Sequence, residues 1–330
     1  MTNRTQSGAA AFPTRFDATT SADEVADGLD LTGRTVVVTG ASSGIGVETA
    51  RVLAAKGAHV VMAVRDVAAG ESVADDIRTA HPGARIEVRH LDLADLGSVD
   101  AFLETWSGSL HVLIANAGIM ALPERTLTAD GVEMHLAVNH LGHFRLVTGL
   151  HDALVAAHGA RVVVVTSAAH QMCPVLFDDL DFSFVEYSPF LAYGQSKSAT
   201  TLFAVEADRR WASEGIRVNA VMPGGIATGL QRHVDPEALA AARRSAGAPE
   251  DLKTVAQGAA TTVLAAVHPD LAGLGGVYLE DCAPAPVLHA RSEADGRHGV
   301  APFALDAANA ERLWELSEQL LTRSSASAGI

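Results

Sequence analysis

"RTVVVTGASSGIGVETARVLAAKG", residues 34–57, is the stretch on which the fold turns. Its first part, "RTVVVTG" (34–40), is a short run of β-branched residues, the composition of a strand buried on both faces. Its last part, "GIGVETARVLAAKG" (44–57), spaces apolar residues as a helix does and stops at Gly57. Between them, "TGASSGIG" (39–46) sets Gly40, Gly44 and Gly46 around Ser42, Ser43 and Ile45. Glycines there permit a tight turn and let backbone N–H groups and a helix N-terminus approach a pyrophosphate. The two serine hydroxyls add donors. Strand, glycine turn and helix in that order point to a dinucleotide cofactor, although the spacing differs from G-x-G-x-x-G.

The alternation continues outward. Strands are expected at 58–64, 84–93, 110–118, 160–168, 216–224 and 275–281, with helices at 68–80, 96–106, about 190–213 and 252–267. A long helical region runs through "DGVEMHLAVNHLGHFRLVTGLHDALVAA" (130–157). Seven strands with helices between them predict an α/β fold: a single Rossmann-type, doubly wound parallel sheet covered on both faces. The expected layout is a flexible N-terminal tail (1–20), a catalytic domain (21–285) and a C-terminal extension (286–330) carrying an amphipathic helix with Leu313, Trp314, Leu316 and Leu320 on one side. Within "TSADEVADGL", Thr20 or Ser21 is positioned to cap a short helix.

A net charge of −15 over 330 residues argues against nucleic acid and anionic membrane surfaces as partners. No apolar run reaches the ~18 residues of a membrane span. Two cysteines, Cys173 and Cys282, make no disulfide framework. The expectation is a cytoplasmic protein acting on a small molecule.

At the end of the second strand, "MAVRD" (62–66) puts Val64 where users of the 2′-hydroxyl cofactor carry an acid, and Arg65 follows. Arginine binds phosphate through charge-assisted, often bidentate bonds, which favours NADP(H). Further on, "LAYGQSKSA" (191–199) places one of three tyrosines four residues before one of three lysines in a chain that otherwise uses arginine. Four residues is one helical turn, so Tyr193 and Lys197 reach one pocket. A neighbouring ammonium is expected to lower the phenol from its usual pKa near ~10 toward a useful acid/base range. Lysine offers a compact ammonium that arginine does not. Ser167 lies just past the fifth strand, where open α/β sheets place ligands.

In order, "TGASSGIG", "LDLAD", "NAG", the Asn of "AVNHLGHF", "VTSAAH", "YGQSK" and "PGGIAT" resemble the short-chain dehydrogenase/reductase family over residues 30–285. Within it, "RD", "VNHLGHF" and the long stretch between "TSAAH" and "YGQSK" look most like retinol-dehydrogenase-like members, though the membrane anchor of the bound ones is not seen in this sequence. The resemblance implies a catalytic tetrad of Asn139, Ser167, Tyr193 and Lys197, with Asn139 supporting a water-mediated proton relay. It implies that Asp92 and Leu93 hold the adenine. Asn116, Ala117 and Gly118 would stabilise the sheet beside the cofactor, and Pro223, Gly224, Ile226 and Thr228 would contact its nicotinamide and pyrophosphate. It also implies a homodimer or homotetramer through the two long helices, which the terminal extensions can block.

The function expected is NADP(H)-dependent interconversion of a ketone or aldehyde and its alcohol, on a lipophilic molecule. The competing readings are a cofactor-binding sensor without turnover and a sugar-nucleotide epimerase or dehydratase. His170 is placed near the pocket mouth, and Phe182 and Phe184, with Phe177 and Phe190, in an apolar substrate wall. His135, His140 and His143 lack a ligand set at metal spacing and are expected to pack or cap.

Overall fold

The computed structural model describes residues 14–232, 234–235, 237, 240, 252–290 and 298–327. The valine runs pair as parallel strands: β1 (Thr35–Thr39), β2 (His59–Val64), β3 (Arg85–His90), β4 (Val112–Ala115), β5 (Arg161–Val165), β6 (Arg217–Met222) and β7 (Tyr278–Glu280). An eighth strand, β8 (Ala283–Pro284), turns back antiparallel on β7, so the sheet has order β3-β2-β1-β4-β5-β6-β7-β8 rather than seven strands. The extra strand is two residues beyond a two-residue turn, too short for any periodicity to announce it.

Strand side chains alternate faces, and the core divides accordingly. Val36 and Val38 face one layer with α1 (Ala22–Val25), α2 (Gly44–Ala55), α3 (Val67–Ala80) and α9 (Val255–Val267). Val37 faces the other with α4 (Leu96–Glu104), α6 (Gly142–Gly149), α8 (Pro189–Trp211) and α10 (Ala307–Ser327). The strand order reverses between β1 and β4, and the crevice at their carboxyl ends is where such sheets take ligands.

Ser21 caps α1 in a reciprocal capping box with Glu24. The long helical region is broken: α5 (Met134–Leu136) passes through a π segment (Ala137–Leu141) into α6, and α7 (His151–Val155) follows. A π turn shifts the apolar phase by one residue without interrupting it, so the sequence reads as one helix.

The tail expected over 1–20 is docked in its described part. Phe16 is buried, Thr14 donates its hydroxyl to the Cys282 carbonyl, and Gln257 donates to the Thr19 carbonyl; residues 1–13 lie outside the described residues. At the other end α10 lies across α6 and α8, away from the cavity described below. Trp314 meets Phe144, Phe203 and Trp211, and Ser317 hydrogen-bonds His140 at 2.8 Å. Residues 291–297 and 328–330 of the expected extension also lie outside the description.

Candidate active site

The glycine turn is built by steric necessity. Gly40 has φ +68°, and a Cβ there would come within 2.8 Å of Ala117 Cα. A Cβ on Gly46 would stand 2.5 Å from the Gly40 carbonyl, so Gly46 serves close packing and does not line the cavity. Asn116 donates to the Thr39 carbonyl at 2.8 Å, and the Thr39 hydroxyl accepts from the Asn116 and Ala117 amides. His143 Nε2 closes on the same hydroxyl at 2.9 Å. This polar knot ties the turn after β1 to the "NAG" turn after β4.

Above it opens a cavity of about 690 Å³. Gly40, Ser42, Ser43, Gly44, Ile45, Arg65, Asp92, Leu93, Asn116, Ala117 and Gly118 line one part of it. Ser167, Tyr193, Lys197, Pro223, Gly224, Ile226 and Thr228 line the rest of the expected site. The residues suit a dinucleotide. Ser43 is the N-cap of α2 yet makes no capping bond, and the first turn of α2 holds no acid, which leaves its positive end available to phosphate. Arg65 is exposed at the cavity wall. Asp66, beside it, spends a carboxylate oxygen capping α3 at the Ala69 amide.

Tyr193 and Lys197 are both buried, on one face of α8. Lys197 Nζ donates to the Val165 carbonyl at 2.8 Å and lies 5.7 Å from the Tyr193 ring centroid. Ser167, N-cap of a short 3₁₀ turn (Ala168–Met172), holds its hydroxyl on the Tyr193 phenol and accepts from the Ala169 amide. Burial pushes the phenol up to about 12, only partly opposed by Ser167, and pushes Lys197 down to about 8. The phenol is thus raised rather than lowered, against the expectation, because desolvation outweighs whatever the ammonium contributes. At neutral pH both groups keep their protons.

Asn139 does not line the cavity; it sits in the π segment and positions what does. Its amide accepts from the Ile119 N–H at 2.9 Å and donates to the Ile119 carbonyl and to the Ser196 hydroxyl. Three residues on, the Leu122 N–H donates to His135, which pairs through its other nitrogen with buried Glu133, and the Tyr187 hydroxyl donates to the Leu122 carbonyl. The Ile119–Leu122 loop, with Ala121 at φ +50°, is thus pinned at both ends and presents Met120 beside Tyr193.

Three substrate-wall expectations are corrected. His170 is fully buried and does not reach the cavity, because its ring turns back under the 3₁₀ turn. Phe182 is buried against Tyr187, outside the cavity. Phe184 is 91 % exposed on a loop whose amides Asp179 caps. Of the four phenylalanines only Phe190 lines the cavity. The apolar wall is instead Met120, Ala169, Met172, Phe190 and Leu230. Sequence reasoning also missed Ala18, Thr19, Lys253, Asp281 and His298, which line it from distant loops. One signal was available for part of this: three of the six methionines, adaptable side chains common at binding surfaces, converge here as Met120, Met172 and Met222.

Gly194 lets α8 approach the Ser167 turn, since a Cβ would lie 2.7 Å from the Ala169 carbonyl. Alanine is the better helix former by about 1 kcal/mol, but pressing against backbone costs about 1–3 kcal/mol. Gly194→Ala is expected to lower thermal stability, read by calorimetry. An unchanged or raised Tm would refute this packing argument.

A model of the short chain dehydrogenase family matches residues 34–238. An oxidoreductase of Streptomyces antibioticus is 48% identical over 302 residues, covering 89% of this chain and 99% of its own length. The crystal structure of an uncharacterized protein from Mycobacterium paratuberculosis superposes with a TM-score of 0.69 at 38% identity, covering 90% of this chain and 96% of that one. A chain from Beutenbergia cavernae, assigned as an NAD(P)-dependent gluconate 5-dehydrogenase and holding NADP at low occupancy, gives 0.61 at 29% identity over 76% and 96%. Among the described residues no helix is long and apolar enough to cross a membrane, and no cluster of metal ligands is present.

Proposed function

Because this chain belongs to the short-chain dehydrogenase/reductase family of oxidoreductases, which use a nicotinamide cofactor, we propose that it interconverts a lipophilic ketone or aldehyde and the corresponding alcohol with NADP(H). One observation carries the reading: a serine hydroxyl, a buried tyrosine phenol and a buried lysine ammonium meet in one cavity with an apolar wall. The bound cofactor supplies or takes up the hydride. Gly40, Ser42, Ser43, Gly44 and Ile45 would hold its pyrophosphate, Asp92 and Leu93 its adenine, and Lys197 its ribose. Asn116 to Gly118 and Pro223 to Thr228 would flank the remainder.

Around the substrate, each residue has a separable task. The Ser167 hydroxyl orients the carbonyl oxygen toward Tyr193. The Tyr193 phenol, protonated at neutral pH, gives its proton to that oxygen as negative charge develops there. The phenolate left behind is stabilised by the Lys197 ammonium, so the ion pair forms during the reaction rather than before it. Asn139 supports the proton route indirectly, by fixing Ile119 and Ser196 beside Tyr193 and Lys197. Met120, Phe190 and Leu230 exclude water from the reacting centre and favour an apolar substrate body.

The NADP(H) preference rests on Arg65 and on Asp66 being occupied as a cap. Arg65→Ala is expected to raise the KM for NADPH by about 10- to 100-fold, the worth of a charge-assisted hydrogen bond to the 2′-phosphate, while leaving the KM for NADH unchanged. Equal effects on the two cofactors would overturn the preference.

A further inference from the structure

His170 is a buried side chain, hydrogen-bonded at both ring nitrogens, that the proposed chemistry does not use. It follows Ser167 by three residues and is fully buried. Its Nδ1–H donates to the Ser167 carbonyl at 2.8 Å, and its Nε2 accepts from the Ala301 N–H at 3.0 Å. The two bonds fix the ring as a neutral tautomer with one donor and one acceptor. The Tyr278 ring packs on it with centroids 5.0 Å apart. Next to it Gln171 donates to the Gly299 carbonyl at 2.8 Å, and the Gly299 N–H donates to Glu280 at 2.9 Å. From the α8 side, the Ser198 hydroxyl donates to the His170 carbonyl at 3.1 Å.

We propose that His170 is a positioning residue for the reaction, locking the Ser167 turn to the chain segment at Ala301 so that the serine hydroxyl stays on Tyr193. The Gly299–Ala301 strip is thereby a structural part of the active site, although the sequence places it 134 residues beyond Ser167, beyond the expected catalytic domain. The alternative, an ordinary core histidine, would need no polar partners on two separate segments. Burial holds the ring neutral, with its pKa near about 4, so both hydrogen bonds persist through the neutral range. The inference rests on carbonyl reduction as the activity.

The two ends of the link can be cut separately. His170→Phe keeps a buried ring and deletes both bonds, whereas His170→Gln retains one donor and one acceptor. Ala301→Pro removes the N–H and sets the ring Cδ against the imidazole in its place, at a residue whose φ of −71° suits proline. The measurements are kcat and KM for an apolar aldehyde, NADPH affinity by fluorescence, and amide hydrogen exchange of residues 165–175. Expected are faster exchange in that turn and a kcat about tenfold lower for both His170→Phe and Ala301→Pro, with NADPH affinity held. The double variant should be no worse than either single one, and His170→Gln should recover most of the rate. Faster exchange with kcat unchanged would reduce His170 to a structural residue. Unchanged exchange would remove the link itself. A wild-type protein that turns over no carbonyl would overturn the underlying activity, and that is seen before any variant is made.

Discussion

Tyr193→Phe is expected to abolish carbonyl reduction while leaving cofactor binding intact. The phenol is the proton-bearing group that the Ser167 hydroxyl meets in the cavity, and phenylalanine keeps the ring and its packing while removing only the hydroxyl. General acids contribute about 10²- to 10⁴-fold, so kcat should fall by at least 10²-fold. Met120 and Ala121, which pack on the ring, should be undisturbed, and thermal stability should hold or rise, because burial already disfavours the polar hydroxyl. NADPH affinity by fluorescence separates loss of chemistry from loss of binding. A variant that retains a tenth or more of the wild-type kcat would assign the proton to another donor.

The second large effect is at Lys197. Replacing it with methionine removes a buried charge of similar length and should lower kcat by about 10²- to 10³-fold, the scale of losing one charge-stabilising group in a water-poor site. Stability should not fall in proportion, since burying the ammonium is itself unfavourable, as its depressed pKa records. The same depression fixes a pH dependence. On the proposed mechanism, reduction requires Tyr193 with its proton and Lys197 with its charge. The phenol keeps its proton to about 12 and the ammonium to about 8, so kcat/KM for reduction is expected to be flat below about pH 8 and to fall above it. Lys197→Arg keeps its charge across this range, so whatever activity survives should lack that limb. A limb unchanged in Lys197→Arg would assign it to another group.

What the sequence made legible was local. The β1 valines, the glycine turn and the four-residue step from Tyr193 to Lys197 each lie within a few residues, and propensity, steric demand and helical spacing specify them directly. The order of motifs then identifies Ser167 and Asn139. What escaped was assembled by tertiary contact. Thr19, Lys253, Asp281 and His298 enter the cavity from loops far apart in the chain, and no pattern in any one segment announces them. Phe184 was misread because an aromatic residue in a long loop resembles a wall, whereas three amides on Asp179 turn that loop outward. The direction of the Tyr193 shift also needed the structure, since spacing brings a charge near without showing how much water is lost.

The central claim is that this cavity moves hydrogen between a nicotinamide and a carbonyl carbon. The most direct test incubates the protein with NADPH deuterated at nicotinamide C4 and a size-graded panel of apolar aldehydes and ketones, reading the products by mass spectrometry. The account predicts an alcohol carrying one deuterium at the carbinol carbon, formed by the wild type and not by Tyr193→Phe. Tight NADPH binding with no labelled alcohol from any carbonyl, and no oxidation of the matching alcohols with NADP⁺, would contradict it and leave a cofactor-binding protein without turnover.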